Sequence, residues 1–290
     1  MINFSRESIE IGGSGGGAPP PNGYNPEWLP APATTDTTVN GKTDALYMLC
    51  NVLDTGNRNY FSCNASGNYT VNVYTGINGT LISTQNVTDN VQASWQIDYA
   101  ACTHQLDALT RQAYVEIVPQ SGQVLSALTF NTNHPAETNT NTSANFISVI
   151  GVLPALTNAT NMFYACYALQ SVALPNLPAL TNATSMFYNC YALQSVTLPN
   201  LPALTNATSM FGTANTETTC LRSLRKLLIS GCTRGFSVTY GALQAPEINE
   251  LFTSLGAASG AQTIDIRNQP GSATCNFSIA VVKGYTVVIA

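Results

Sequence analysis

Apolar residues in the C-terminal half of the chain recur at intervals that are repeated every 24 residues. Residues 161–184 and 185–208 are adjacent near-copies, identical at 21 of 24 positions. Each copy has the spacing L-x-x-V-x-L-x-x-L-x-x-L, which is typical of a short strand followed by a return loop. One such unit cannot bury its own leucines, so the pattern predicts stacked units with a shared core. The core positions are Leu169, Val172, Leu174, Leu177 and Leu180, then Leu193, Val196, Leu198, Leu201 and Leu204.

The pattern extends beyond the two copies, and it predicts that residues 144–290 form one solenoid. The segment LPALTNAT occurs once more at 153–160, and Leu224, Leu227 and Ile229 repeat the strand spacing. Further along, the pattern predicts a helix over 242–256 with one apolar face, a strand at 263–267, a short helix at 275–284 and a closing strand at 285–290. The apolar face of the first helix consists of Ile248, Leu251, Phe252 and Leu255. Units stacked in register would also form two ladders. These ladders are Phe163, Phe187 and Phe211, and Asn158, Asn182 and Asn206.

Residues 41–143 show a period of two, which predicts a β-sandwich. In the segment 68–75, Tyr69, Val71 and Val73 alternate with polar residues, as in a half-buried strand. Runs with the same period follow at 76–84, 93–100, 112–119 and 124–133, and the segments 42–54 and 58–66 are predicted to form the first hairpin. Seven short strands in about 95 residues are typical of a sandwich. The predicted fold class is therefore mainly β with short helices.

Residues 1–40 have neither period, and they predict an extended N-terminal arm. The run GGSGGG at 12–17 is a flexible linker, and the prolines after it favour polyproline conformation. Tyr24, Trp28 and Leu29 are large apolar residues in a segment that cannot fold alone. We therefore expect these three residues to anchor the arm on another subunit of an assembly.

Composition and charge exclude several function classes. Charged residues make up 9% of the chain, against about 25% in an average soluble domain. A net charge of −5 with only ten basic residues argues against nucleic-acid binding. No apolar run is long enough to span a membrane, and the N-terminal residues lack the apolar core of a secretory signal. The chain is expected to be made in a cytoplasm and not to insert into a membrane.

Chemically reactive residues form no recognisable catalytic or metal-binding pattern. The eight cysteines include no C-x-x-C pair. Cys166 and Cys190 occupy equivalent repeat positions, where they can either form a disulfide or fill core slots, and the second interpretation is favoured. Cys102 and His104 lie two residues apart, as a nucleophile and its base can, but no third group accompanies them. We predict a non-enzymatic protein with no metal and no cofactor.

The outward strand positions of the solenoid form the candidate binding face. Short polar side chains there make a flat surface that suits a glycan or a protein loop, and the alternative is that the face is only solvated. The predicted face consists of Ser171, Ala173, Ser195, Thr197, Lys226, Leu228, Asp265 and Arg267.

Three segments resemble known families. The block MFYNCYALQSVTLPNLPALTNATSMF, with the ending from INELF to VVIA, resembles the leucine-rich repeats of bacterial surface proteins. The segments GNYTVNVYTG and RQAYVEIVPQSGQVLSALTFN are similar to the PKD-like (polycystin-type, immunoglobulin-like) sandwiches that precede such repeats in phage-encoded proteins. The opening GGAPPPNGYNPEWLPAP resembles the starts of tailed-bacteriophage virion structural proteins.

These resemblances imply a virion structural protein in which the arm contacts other virion proteins. The solenoid would be displayed as a fibre or adhesin that binds a host-surface glycan or protein, and a homo-oligomer within the assembly is expected. A capsid or tail decoration protein that cements the particle is the alternative, and a bacterial surface protein with leucine-rich repeats is the second alternative.

Overall fold

The computed structural model describes residues 44–54, 58–76, 79–88, 92–96, 98–130, 146–198, 200–212 and 221–289. Within these ranges the protein is mainly β with few helices, and it contains a solenoid-like region of about six turns. The predicted arm at 1–40, with Tyr24, Trp28 and Leu29, lies outside the described residues. The two predicted domain boundaries, after residues 40 and 143, also lie outside them, so the boundaries stay predictions.

The N-terminal strands lie in two sheets that face each other. These strands are β1 (Leu46–Leu53), β2 (Arg58–Ala65), β3 (Tyr69–Tyr74), β4 (Leu81–Val87), β5 (Gln92–Gln96), β6 (His104–Gln105), β7 (Thr110–Pro119) and β8 (Leu125–Thr129). One sheet has the order β5-β2-β8, and the other contains β1-β7-β3-β4 with β6 beside β7. The inward faces share a core, in which the Phe61 ring lies 6.1 Å from the Phe146 ring. Tyr69, Val71 and Val73 are buried, as their alternation predicts.

The prediction that 42–54 and 58–66 form a hairpin is wrong. β1 pairs with β7 over its whole length, from Leu46 opposite Ile117 to Leu53 opposite Thr110. β2 pairs with β5 and β8 in the facing sheet. Period-two alternation identifies the face of a strand that packs on the core, but it does not identify the neighbouring strands with which that strand pairs. Sequence proximity favoured the hairpin, whereas both strands are central in their sheets.

The solenoid-like region follows the N-terminal strands in the chain. Each of its turns contains at least one short strand or helix. Its elements are β9 (Phe146–Gly151), β10 (Ser171–Ala173), β11 (Ser195–Thr197), β12 (Lys226–Leu228), β13 (Phe236–Ser237), α1 (Ala245–Ser254), β14 (Gln262–Asp265), α2 (Ser278–Val281) and β15 (Tyr285–Val288). β9, β10, β11 and β12 are parallel and in register. We number the turns 1 to 6, and they begin near residues 146, 170, 194, 225, 243 and 270.

The facing sheets and the solenoid-like region are joined by continuous hydrogen bonding. β9 pairs with β10 on one side and antiparallel with β1 on the other, so that one sheet has the order β12-β11-β10-β9-β1-β7-β3-β4. A second junction lies at Phe130, directly after β8. Its N–H donates to the carbonyl oxygen of Met162 at 2.9 Å, and its ring stacks on Phe163 at 5.2 Å. The first turn is therefore covered by other strands of the chain.

Both predicted ladders are present in turns 1 to 3. The ring of Phe187 lies 5.2 Å from that of Phe163 and 5.4 Å from that of Phe211, nearly parallel to both. Asn158, Asn182 and Asn206 are linked by parallel bridges. Near-identical units therefore stack like on like, and each substitution in one unit would affect its neighbours.

Turns 5 and 6 carry helices where the earlier turns carry strands. α1 packs beside β12 and buries Ile248, Leu251 and Phe252, three of the four residues predicted for its apolar face. The fourth, Leu255, directly follows the helix and is also buried. On the other side of turns 4 to 6, β13, β14 and β15 form a separate parallel sheet. Phe236 of β13 continues the aromatic ladder, but its ring meets that of Phe211 edge-on at 6.2 Å.

Candidate binding face

Six of the eight predicted face residues lie together on the sheet β9-β10-β11-β12. Parallel pairing aligns Ser171, Ser195 and Lys226 in one column, and Ala173, Thr197 and Leu228 in the next. The residues between them, Val172, Val196 and Leu227, are buried in the core, so the predicted phase of these strands matches their burial. β9 adds Ser148 and Ile150 to the same two columns. The Ser171 hydroxyl donates to the Ser148 hydroxyl at 2.8 Å.

Asp265 and Arg267 are not part of this face. Asp265 ends β14 and Arg267 follows it, beside the separate sheet β13-β14-β15. The guanidinium of Arg267 contacts the Asp265 carboxylate at 2.7 Å. Burial alone would raise the pKa of Asp265, but the hydrogen bonds and the charge of Arg267 outweigh this effect and lower it. The alternation correctly predicts that Asp265 and Arg267 point away from the core, but it does not show that β14 belongs to another sheet.

Sequence reasoning missed polar and aromatic columns that flank the face. Tyr167 stacks on Tyr191 with a ring distance of 5.5 Å. The side-chain amide of Gln194 donates to Gln170 at 3.4 Å. At the other end of the strands, Asn200 donates to Asn176 at 3.1 Å. The 24-residue spacing of these pairs was visible in the sequence, and the same argument that predicted the phenylalanine ladder would have found them.

Hydrogen-bonding side chains give the face its chemistry. Hydroxyl and amide groups both donate and accept hydrogen bonds, so these columns can match a ligand that carries both kinds of group. Most of the column residues are half-buried, whereas Lys226 is exposed. Arg225, next to Lys226, is also exposed and brings a second positive charge to the β12 end. The face therefore changes from neutral on β10 and β11 to basic at β12.

The same side of the sheet becomes buried towards β1 and β7. Ile150 lies opposite Tyr47, and Tyr47 lies opposite Glu116, which is 1% exposed. The Glu116 carboxylate accepts hydrogen bonds from the Asn72 amide at 2.8 Å and from the Tyr74 hydroxyl at 3.2 Å. Burial, together with the charge of Glu116, raises the pKa of Tyr47. The accessible part of the face is consequently the part formed by the solenoid-like region.

The described cysteines, including Cys166 and Cys190, are buried and are not disulfide-bonded. The Cys190 thiol donates to the carbonyl oxygen of Phe163 at 3.0 Å, and burial raises its pKa. Cys102, the candidate nucleophile, donates to the carbonyl oxygen of Asp98 at 3.4 Å. Burial raises the pKa of Cys102 to about 11, which keeps this thiol protonated at neutral pH. The geometry at Cys102 is that of a core residue.

Among the described residues, no group of three or more His, Cys, Asp or Glu side chains is arranged to hold a metal ion. No helix in the described ranges is long and apolar enough to cross a bilayer. Comparison of the chain with protein-family models, curated proteins and solved structures gives no match.

Proposed function

We propose that this chain is a non-enzymatic structural protein of a tailed-bacteriophage particle. In this proposal, a PKD-like sandwich presents a solenoid of leucine-rich-repeat type, and the N-terminal arm attaches the chain to other virion proteins. The solenoid binds a glycan or protein on the host surface. The resemblance of the opening segment to phage virion proteins supports the virion part of the proposal.

The arrangement of the face β10-β11-β12 carries the binding role. Its two columns, which carry the hydroxyls of Ser171, Ser195 and Thr197, have a repeat set by parallel strand pairing, and the residues between the columns are buried. The positions of the polar groups are thus fixed before a ligand arrives, which reduces the entropy lost on binding. The continuous sheet through β9 and β1 also joins this face rigidly to the strands nearer the proposed arm.

Substitution of the central face tests the proposal. In phage particles, Ser195→Glu with Thr197→Glu should reduce adsorption to host cells at least tenfold, because two carboxylates then replace the hydroxyls at the middle of the face. A matched double variant, Thr253→Glu with Thr286→Glu, changes two exposed threonines of turns 5 and 6. The control particles should adsorb normally. Quantitative mass spectrometry of purified particles confirms that both variant proteins are incorporated at the wild-type copy number.

Three outcomes would contradict the proposal. Absence of the protein from purified particles would contradict the virion location and favour a surface protein of the bacterium. Normal adsorption by fully decorated face-variant particles would remove the receptor role. Particles that lose the face variant, or that become fragile on heating, would favour the cement role, since buried unpaired carboxylates weaken an interface by several kcal/mol.

A further inference from the structure

A polar cleft lies between turns 3 and 4, next to the separate sheet β13-β14-β15. Its volume is about 400 Å³, within the range of small-ligand sites. Thr205, Thr208 and Ser209 of turn 3 line one wall, Arg234 and Ser237 of turn 4 line the other, and Asp265 of turn 5 also contributes. We name this site the inter-turn cleft. It belongs to a different surface from the binding face.

The cleft exists because turns 3 and 4 stop pairing partway around. In turn 1, the N–H of Ala159 donates to the carbonyl oxygen of Asn182 at 2.7 Å. In turn 2, the N–H of Ala183 likewise donates to the carbonyl oxygen of Asn206 at 2.8 Å. Likewise, the N–H of Ser185 donates to the carbonyl oxygen of Thr208 at 3.0 Å. In turn 3 the equivalent groups are the N–H of Ala207 and of Ser209, and neither donates to an acceptor among the described residues.

Turn 4 pairs with the following turn instead. The N–H of Leu201 in turn 3 still donates to the carbonyl oxygen of Ser230 in turn 4 at 3.1 Å. Further along turn 4, the N–H of Gly235 donates to the side-chain oxygen of Gln262 in turn 5 at 2.8 Å. The hydroxyl of Thr208 also departs from the repeat. The equivalent Thr184 hydroxyl donates to Asn182 at 2.7 Å, whereas no hydrogen bond of the Thr208 hydroxyl is found in the described part of the chain. Turn 3 therefore presents amide and hydroxyl donors to the cleft.

Arg234 supplies a positive charge at the same place. Its Nε atom donates to the carbonyl oxygen of Leu204 at 3.3 Å, which fixes the side chain between the two turns. Its terminal nitrogens donate no hydrogen bond to an acceptor within the described ranges. Both oxygens of Asp265 accept hydrogen bonds from Arg267, at 2.7 to 3.2 Å, so this carboxylate is already neutralised. The charge of Arg234 remains available to an anionic ligand.

We propose that the inter-turn cleft binds a carboxylate-bearing sugar residue, such as a uronic acid in an acidic polysaccharide. Guanidinium and backbone N–H groups both bind carboxylates through charge-assisted hydrogen bonds, so Arg234, Ala207 and Ser209 would hold the acid group. The hydroxyls of Thr208 and Ser237 would pair with the sugar hydroxyls. This combination favours a uronate over a neutral sugar, which lacks the charge, and over a simple anion, which uses none of the hydroxyls.

Titration of the full-length protein tests this inference, with methyl β-D-glucuronide, methyl β-D-glucoside and acetate as separate probes. The glucuronide should shift the backbone amide resonances of Ala207 and Ser209, and the glucoside and acetate should each bind at least tenfold more weakly. Arg234→Gln should weaken glucuronide binding at least tenfold. Arg222→Gln, which removes an exposed arginine that does not line the cleft, should leave it unchanged.

Thr208→Val provides a second variant that keeps the volume of the side chain and removes its hydroxyl. It should weaken glucuronide binding several-fold and leave acetate binding unchanged. No binding of the glucuronide, or equal glucuronide binding by the wild type and a folded Arg234→Gln variant, would overturn the inference. Acetate binding as tight as that of the glucuronide would also overturn it, because the cleft would then recognise only an anion. None of these results depends on the role of the binding face.

Discussion

Turns 1 to 3 and turns 4 to 6 bury the same kind of core by different means. In turns 1 to 3, most equivalent positions carry the same residue, and Phe163, Phe187 and Phe211 stack nearly parallel. In turns 5 and 6, helices occupy the place of strands, and α1 buries side chains of different shapes against β12. Repetition therefore gives packing by identity, whereas divergence requires packing by complementary shapes.

The two kinds of packing also differ in their hydrogen bonding. Turns of near-identical sequence follow similar backbone paths, so equivalent N–H groups, such as those of Ala159 and Ala183, donate to equivalent carbonyl oxygens of the next turn. Where the path changes, between turns 3 and 4, the ladder opens and the inter-turn cleft appears. The repeated turns are thus suited to forming a regular surface, and the break in the repeat is suited to forming an open cleft.

The largest expected effect is the loss of unfolding free energy when a buried phenylalanine is truncated in each kind of packing. Phe187→Ala and Phe252→Ala each remove a fully buried ring, which costs roughly 3–5 kcal/mol of unfolding free energy. Phe187 also loses two stacked partners, worth about 0.5–1.5 kcal/mol each. We expect Phe187→Ala to be the more destabilising by about 1–3 kcal/mol. Urea unfolding of both variants measures the difference, and equal losses would show that stacking adds nothing to burial.

A smaller effect is expected at the junction between β9 and β1. Gly151 has a φ of 145°, and a Cβ added to it would lie 2.5 Å from backbone atoms of Ala45 and Leu46. Gly151→Ala should therefore combine backbone strain with a steric clash and cost about 2–4 kcal/mol. Gly122→Ala is the matched control. Gly122 also has a positive φ, of 80°, but a Cβ there would meet nothing within 4 Å.

The control variant isolates the clash from the strain. Gly122→Ala should cost only the strain of the left-handed conformation, about 1–2 kcal/mol. Thermal unfolding followed by circular dichroism measures both variants. If Gly151→Ala lowers stability no more than Gly122→Ala does, the close approach of β9 to β1 is not rigid. The facing sheets and the solenoid-like region would then be coupled only weakly.

The sequence predicted the features that depend on local periodicity. The phenylalanine and asparagine ladders follow from the 24-residue repeat, and α1 follows from the spacing of Ile248, Leu251 and Phe252. Burial of Val172 and Val196 between outward residues follows from the same repeat. These features could be predicted because each depends on residues close in sequence or at a fixed interval.

Features that depend on pairing between distant segments could not be predicted in this way. The pairing of β1 with β7 and β9 joins residues about 60 to 100 positions apart, and nothing in the alternation of β1 identifies those partners. The cleft depends on hydrogen bonds that Ala207 and Ser209 do not make, which no residue pattern records. Asp265 was grouped with Ser171 because both lie on strands, although the strands belong to different sheets.

The smallest expected effect concerns the charge pair beside the cleft and its dependence on pH. The Asp265 pKa is lower in the folded protein than its ordinary value, so ionisation of Asp265 favours folding. This contribution is complete above the ordinary aspartate pKa of about 4, and it is lost as the pH falls through the lower folded value. Asp265→Asn keeps an oxygen that can accept from the Arg267 N–H, so the variant removes mainly the charge. Urea unfolding should show that the variant is less stable than the wild type at pH 7, with a smaller loss than Phe187→Ala or Gly151→Ala causes. The difference in unfolding free energy between variant and wild type should shrink towards pH 3. Arg267→Gln should reproduce the same pH dependence, and a difference that does not change between pH 7 and pH 3 would show that the ion pair does not stabilise these later turns.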